Sequence, residues 1–411
     1  MLGVFVLVVL ALIGLIHWYL WARLVRATTR PRSRGRRAGT VGMILLALLL
    51  PATLAGRRLP MDRQPLLAWP GYLWLAVMFL ALSTLVVLEL PRLVLYRLTA
   101  HSQAPTAGEP AAAAGPAPTP GDPVAAAGPA RAGGQTGVDP GRRLLLARSL
   151  ATVAGVAAVG TTAFGTARAL GPPRIVRRPI ALAKLPRRMD GFRIAVVSDI
   201  HLGPLLGRGH TRRIVDMINH LDADLVTVVG DLVDGSVAEL GRAAEPLAQL
   251  RARRGSFFVT GNHEYFSGYR EWITEVRSLG LTVLRNQRVG IDGLDLAGVN
   301  DATGGSYGDA PDYDAALGGR DPTKPVVLLA HQPVQVDEAA RRGVDLQLSG
   351  HTHGGQIFPF GYLVRLQQPV LAGYARFGNT QLYVTRGAGF WGPPVRVGAP
   401  PDISLIVLRA P

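Results

Sequence analysis

Five short stretches of this sequence hold residues that can do metal chemistry. Asp199-Ile200-His201 sets a carboxylate and an imidazole two positions apart, so in extended backbone both point to the same side. His351-Thr352-His353 repeats that spacing with two imidazoles. Gly230-Asp231-Leu232-Val233-Asp234, Gly261-Asn262-His263-Glu264 and the single His331 supply the rest. The chain has no cysteine, which excludes disulfides, thiolate metal sites and thiol catalysis. Carboxylate, imidazole and amide oxygen suit Mn, Fe or Zn and serve soft copper poorly. One cation takes about four to six ligands. Asp199, His201, Asp231, Asn262, His331, His351 and His353 are too many for one open site, but they fit two divalent ions sharing a bridging carboxylate. Two ions ~3.5–4 Å apart form a clamp for in-line displacement at phosphorus.

Short β-rich runs end where each of these motifs begins. Residues 192–198, 224–229, 257–260, 326–330 and 346–349 read as buried strands, and 382–385 and 403–408 follow. Helical periodicity falls at 211–221, 238–250 and 269–279. Strands alternating with helices predict an α/β domain over residues 185–411, large enough for one good core. Ligands of open α/β sheets gather outside the carboxyl ends of strands, so five segments can converge on one place. Taken singly, an Asp or Asn after a strand is a turn former or a helix cap. The joint, ordered pattern carries the metal reading.

The first half has a different texture. Residues 2–20, 41–55 and 71–88 are apolar runs of roughly membrane-spanning length, two of them with aromatic ends, and predict about three spans within residues 1–100. Residues 101–141 are rich in Pro, Ala and Gly without apolar periodicity, which predicts a disordered linker. Residues 142–171 are expected to hold a fourth span, centred on 149–167; their paired arginines resemble a twin-arginine signal only loosely. The formal net charge of the whole chain is +16; residues 1–180 hold +15 of it and residues 181–411 only +1. Seven arginines between Arg23 and Arg37 predict a cytoplasmic first loop, and alternation then places the second half outside. The charge thus flanks and orients spans. A near-neutral second half lacks the basic stripe of a polynucleotide binder, so no nucleic-acid polymer is expected as partner.

The ordered set Asp-x-His, Gly-Asp-x-x-Asp, Gly-Asn-His-Glu, His and Gly-His-x-His resembles the calcineurin-like metallophosphoesterase superfamily. Residues 350–357, 385–389 and 398–403 resemble its membrane-associated bacterial branch, and the resemblance covers about residues 190–408. Relatives carry Glu where Asp402 stands, a departure that touches no metal ligand. The resemblance implies a four-layer α/β/β/α sandwich, here preceded by an α-helical transmembrane region. It implies that Asp199, His201 and His353 hold one ion, that Asp231 bridges, and that Asn262, His331 and His351 complete the second. It also implies attack by water activated between the ions, without a covalent enzyme intermediate. His263 would then stabilise the transition state or protonate the leaving oxygen, with Asp234 and Glu264 orienting His263 or the ligating imidazoles.

The function expected is hydrolysis of a phosphoester at a membrane, with a diester of a lipid-linked or envelope substrate as the favoured class. A nucleotide phosphodiesterase or nuclease, and a catalytically inactive membrane scaffold, stay open as alternatives. Phe390-Trp391 stand where relatives carry small residues; they either contact a lipid, sugar or base, or pack a loop. His210 and His220 flank a predicted helix and read as surface residues.

Overall fold

The computed structural model describes residues 2–101 and 140–411. The expected linker therefore lies, from 102 to 139, outside the described residues. The described residues form two compact units, one drawn from 2–44, 81–101 and 140–157 and one of residues 45–80 and 158–411.

Among the described residues, four helices are long and apolar enough to cross a membrane, over Leu7–Arg26, Arg34–Gly56, Pro65–Glu89 and Leu144–Leu170. They lie in α1 (Leu2–Leu20) with the π-helical turn Trp21–Arg26, α2 (Arg34–Gly56), α3 (Pro65–His101) and α4 (Pro140–Leu170). Leu7, Val8, Leu45 and Val156 lie exposed on them. Helices that turn large apolar side chains outward need lipid rather than water around them. The chain is a membrane protein. Within the first unit, Arg23 pairs with Glu89, and Trp21 Nε1 donates to Thr40 Oγ1 at 2.9 Å.

The second unit carries two six-stranded sheets. One runs β1-β12-β2-β3-β4-β5, with β1 at Arg174–Ala181, β2 at Arg193–Val197, β3 at Leu225–Val229, β4 at Ser256–Val259, β5 at Thr282–Val283 and β12 at Asp402–Arg409. The other runs β10-β11-β9-β8-β7-β6, with β6 at Gln287–Ile291, β7 at Leu294–Gly298, β8 at Val326–Leu329, β9 at Leu346–Ser349, β10 at Gly373–Phe377 and β11 at Thr380–Val384. The central strands β2, β3, β4 and β8 are short, mainly apolar runs buried on both faces, as parallel strands covered on each side must be, and β9 is as buried although it carries Gln347 and Ser349.

The sheets pack face to face through Ile194, Val196, Val229 and Val259 on one and Leu296, Leu329, Leu348 and Tyr383 on the other. Helices α5 (Arg208–Asn219), α6 (Val237–Ala244) and α8 (Tyr269–Ser278) cover the outer face of the first sheet around the buried Trp272. Helices α9 (Tyr313–Leu317) and α10 (Val336–Arg341) cover the second. The four layers expected from the resemblance are present. The first sheet begins upstream of residue 185, since β1 pairs with β12 in parallel from Arg174↔Asp402 to Ala181↔Arg409.

One expectation is corrected. His210 is buried, at 8% exposure, and not on the surface. Helix α5 starts at Arg208, earlier than the periodicity suggested, so His210 falls in line with Ile214 and Ile218 on the face turned to the core.

Candidate metal centre

Each motif lies on the turn that follows its strand, and the turns are bound to one another by backbone. Asp199 N donates to Gly230 O at 3.1 Å and His201 N to Asp231 O at 3.2 Å, which joins the turn after β2 to the turn after β3. Gly350 N donates to His331 O at 3.0 Å, and Gly389 N to Asp199 O at 2.7 Å. Asp199, His201, Asp231, His351 and His353 all sit at positive φ, between 51° and 72°. Non-glycine residues rarely hold that conformation, and where they do the surroundings must enforce it. Five of the seven candidate ligands share it. The turns also leave no room at their glycines: a Cβ on Gly350 would strike the Asp199 carboxylate, and one on Gly261 the Asp231 carboxylate.

Six of the seven candidates come together in two groups of three. Asp199, His201 and His353 form one, with 3.0 Å between the Nε2 atoms of His201 and His353 and 3.4 Å from His353 Nε2 to Asp199 Oδ1. Asp231, His331 and His351 form the other, with His331 Nε2 at 3.1 Å from Asp231 Oδ2. Asn262, the first residue of helix α7 (Asn262–Phe266), joins the second group by accepting from His351 Nδ1 at 2.9 Å. Asp231 Oδ2 is also 3.7 Å from His201 Nε2, so this one carboxylate faces both groups.

His263 lies with His201 and Asp231 in a third such group. Its backbone N donates to Asp231 Oδ1 at 3.0 Å, and its Nδ1 donates to Asp234 Oδ1 at 2.5 Å. Asp234 accepts from His201 Nδ1 as well, at 3.1 Å. Glu264 departs from the expectation that it orients an imidazole. It accepts from the backbone N–H groups of Asp231, Leu232 and Gly261 at 2.9, 2.7 and 2.6 Å, and so ties the turn after β4 to the turn after β3.

The electrostatics follow from crowding so many polar groups where water is excluded. Burial raises the pKa of Asp199, opposed by His331. Burial acts on Asp231 too, but His331 and His263 hold that carboxyl well below the usual range. Burial lowers His351 to about 3. For His263 burial acts downward and is overcome by Asp231 and Asp234, which raise it to about 9.

The donor atoms test whether a cation fits. His331 Nδ1 donates to Val229 O at 2.8 Å, which leaves the Nε2 of a neutral ring as a lone pair aimed at the Asp231 carboxylate. That Nε2 is buried and has no hydrogen-bond partner among the described residues. A proton or a cation must stand between two acceptors so placed, and a cation resolves both groups at once because Asp231 faces each. The residues fit a pair of divalent ions.

Two further residues of the site escaped the sequence reading. Arg396 is fully buried, donates to the carbonyls of Gly389 and His353, and reaches His353 Nδ1 with Nη2 at 2.9 Å. Asp301 is buried just past β7; its Oδ1 accepts from Gln332 Nε2 at 3.0 Å and its Oδ2 has no partner among the described residues. Position after a strand was the signal that could have found Asp301. Nothing local marks Arg396.

Comparison with known proteins points to one family. A family model described as calcineurin-like phosphoesterase matches residues 192–355. A transmembrane protein with metallophosphoesterase domain from Danio rerio is 40% identical over 260 residues, 60% of this chain and 60% of that protein. A metallophosphoesterase of Helicobacter pylori, named as uncharacterized, is 42% identical over 242 residues, 58% of this chain and 65% of its own length. A like-named protein of Aquifex aeolicus is 34% identical over 241 residues, 57% of this chain and 92% of its own length. The chain thus aligns with 60–65% of the length of the first two.

Proposed function

This chain belongs to the calcineurin-like phosphoesterase family, and we propose that it is a membrane-anchored hydrolase that uses two divalent cations, Mn, Fe or Zn, to cleave a phosphoester. The observation that carries this is Asp231, one buried carboxylate facing two imidazole-bearing groups. Asp199, His201 and His353 would hold one ion, Asn262, His331 and His351 the other, and Asp231 would bridge. When bound, the pair supplies Lewis-acid polarisation of the phosphoryl oxygens and the nucleophile.

The protein's own groups do the rest. Asp234 holds His263 by Nδ1, and Asp231 and Asp234 together raise the pKa of that ring, so it would carry a proton at Nε2 to give to the leaving oxygen or to the developing charge. Asp234 holds the ring of His201 in the same way, fixing which nitrogen faces the other donors. Glu264 keeps the turns in register.

The favoured substrate is a phosphodiester of a lipid-linked or envelope compound. The first loop, with its seven arginines, supports a cytoplasmic position for residues 23–37 and an outer one for residues 57–63. A groove lined by both Arg57 and His201 supports the same outer side for the catalytic domain. The test is hydrolysis of bis(p-nitrophenyl) phosphate and p-nitrophenyl phosphate by the purified full chain with Mn, Fe, Zn or Co, with metal content measured in the same sample. Turnover with about two bound ions supports the reading. No turnover with any metal, or no bound metal, overturns it.

A further inference from the structure

Beside the metal groups lies a shallow groove of about 50 Å³ that opens to solvent. One wall is His201, Asp234, Trp391 and neighbouring loop residues; the other is Arg57, Gln64 and Tyr72, from the α2–α3 connection and the start of α3. Arg57 is exposed and makes no ion pair among the described residues. It stands one residue past the candidate span Arg34–Gly56, at the level where lipid headgroups lie.

A second observation connects the groove to lipid. Trp391 is 53% exposed, and its ring lies 5.7 Å from that of His263. Gln356 clamps it, donating through Nε2 to Trp391 O at 2.9 Å and accepting from Trp391 N at 3.1 Å. The chain then runs directly into Phe358, Phe360, Tyr362, Leu363 and Leu366, which are 45–81% exposed. So many large apolar side chains in nine residues make a patch that a water-facing surface does not carry without cause. Phe360 meets the ring of Phe79 at 6.2 Å, edge to face, and Phe79 is inside the candidate span Pro65–Glu89. The patch is thus continuous with a membrane-spanning helix.

We infer that the groove is a headgroup subsite for an anionic bilayer lipid, entered sideways from the leaflet, with Arg57 taking the lipid phosphate and residues 358–366 lying in the lipid. This rests on the phosphoesterase reading only for what happens to the headgroup afterwards. Arg57 supplies the charge that a phosphate needs, and the Phe/Tyr/Leu loop and α3 supply the apolar flank along which acyl chains run. A free phosphate would match Arg57 equally well, but would leave the apolar loop without a reason.

The test uses the full chain in phosphatidylcholine vesicles holding a minority of phosphatidylglycerol. A photoreactive benzoylphenylalanine replaces Tyr72 in one variant and Trp391 in a second, so that one misfolded variant does not end the experiment. Mass spectrometry then reads which lipid is cross-linked. Phosphatidylglycerol adducts should exceed that lipid's share of the bilayer by about fivefold, lose the excess with Arg57→Ala and keep it with Arg57→Lys. Free glycerol phosphate should not displace them. Adducts in proportion to bilayer composition, indifference to Arg57→Ala, or displacement by glycerol phosphate would overturn the subsite. Hydrolysis of bis(p-nitrophenyl) phosphate by the unsubstituted chain reports separately on the phosphoesterase reading. Enriched adducts without hydrolysis leave a lipid site on a protein that is no enzyme; hydrolysis without enrichment leaves an enzyme with a soluble substrate.

Discussion

Asp234 Oδ1 accepts from His263 Nδ1 at 2.5 Å and fixes the direction of a ring that otherwise meets only the rings of His201, Phe266 and Trp391 among the described residues. The same carboxylate accepts from His201 Nδ1 at 3.1 Å, so one residue steadies both a candidate acid and a candidate metal ligand. Burial works against ionising Asp234, yet His201 and His263 pull its pKa far below the usual carboxylate range.

Asp234→Asn should therefore lower kcat by about 10–100-fold, the usual cost of removing a group that orients a ligand or acid. It should also lower the pKa of His263, since one of the charges that raise it is gone. A charged His263 is lost as pH rises, so the alkaline limb of the rate profile should move to lower pH. A pH–rate profile of both proteins checks this; a normal kcat with an unmoved limb would show that Asp234 only fills space.

Asp231 faces both donor groups, and its loss should be felt by both. Asp231→Asn keeps the shape but removes a charge and a bridging oxygen. Metal content should fall below the ~two ions of the unsubstituted protein, with kcat down by about a thousandfold or more. Elemental analysis alongside kinetics separates the outcomes. Full metal content at normal kcat would exclude Asp231 as the shared ligand.

The strand ends and all seven candidate ligands were legible because their chemistry depends on short local spacing after apolar runs. Convergence of distant segments was legible only through the rule that ligands gather at strand ends. Arg396 was not legible. It is a cation in a stretch of Pro, Val and Gly, and its value comes from gathering the carbonyls of Arg386 and Gly389 with that of His353, 43 residues away in sequence. The hairpin β6–β7 was missed because Gly290 and Asp292-Gly293 break the apolar run that would announce it. His210 was misread since one extra turn at a helix start decides which face a residue takes.

His210 makes the stability of the second unit depend on acid. Burial, reinforced by Arg213, lowers its pKa from 6.5 to about 4. Below pH 6.5 the unfolded chain binds this proton first, so stability falls as pH drops from 6.5 towards 4 and changes no further below that. The loss from this one residue can reach about 3 kcal/mol. His210→Gln removes the titration, so thermal unfolding should show a shallower fall in Tm across that window than in the unsubstituted protein. Equal slopes would mean that His210 gains its proton at no cost in the fold.

The orientation of the catalytic domain can be read with single thiols, because the chain has no cysteine of its own. Arg34, Arg58 and Lys324 are exposed, at the first residue of α2, in the α2–α3 connection and in the catalytic domain respectively. With seven arginines holding residues 23–37 inside, Arg58→Cys and Lys324→Cys should react with a membrane-impermeant maleimide in intact spheroplasts. Arg34→Cys should react only after permeabilisation. Arg58 and Lys324 must behave alike if the groove lined by Arg57 and His201 exists in the membrane, whichever side they face. Labelling of Arg34→Cys and Lys324→Cys from the same side would put the catalytic domain in the cytoplasm. Opposite behaviour of Arg58→Cys and Lys324→Cys would break the groove itself, and with it the route by which a leaflet lipid reaches His263.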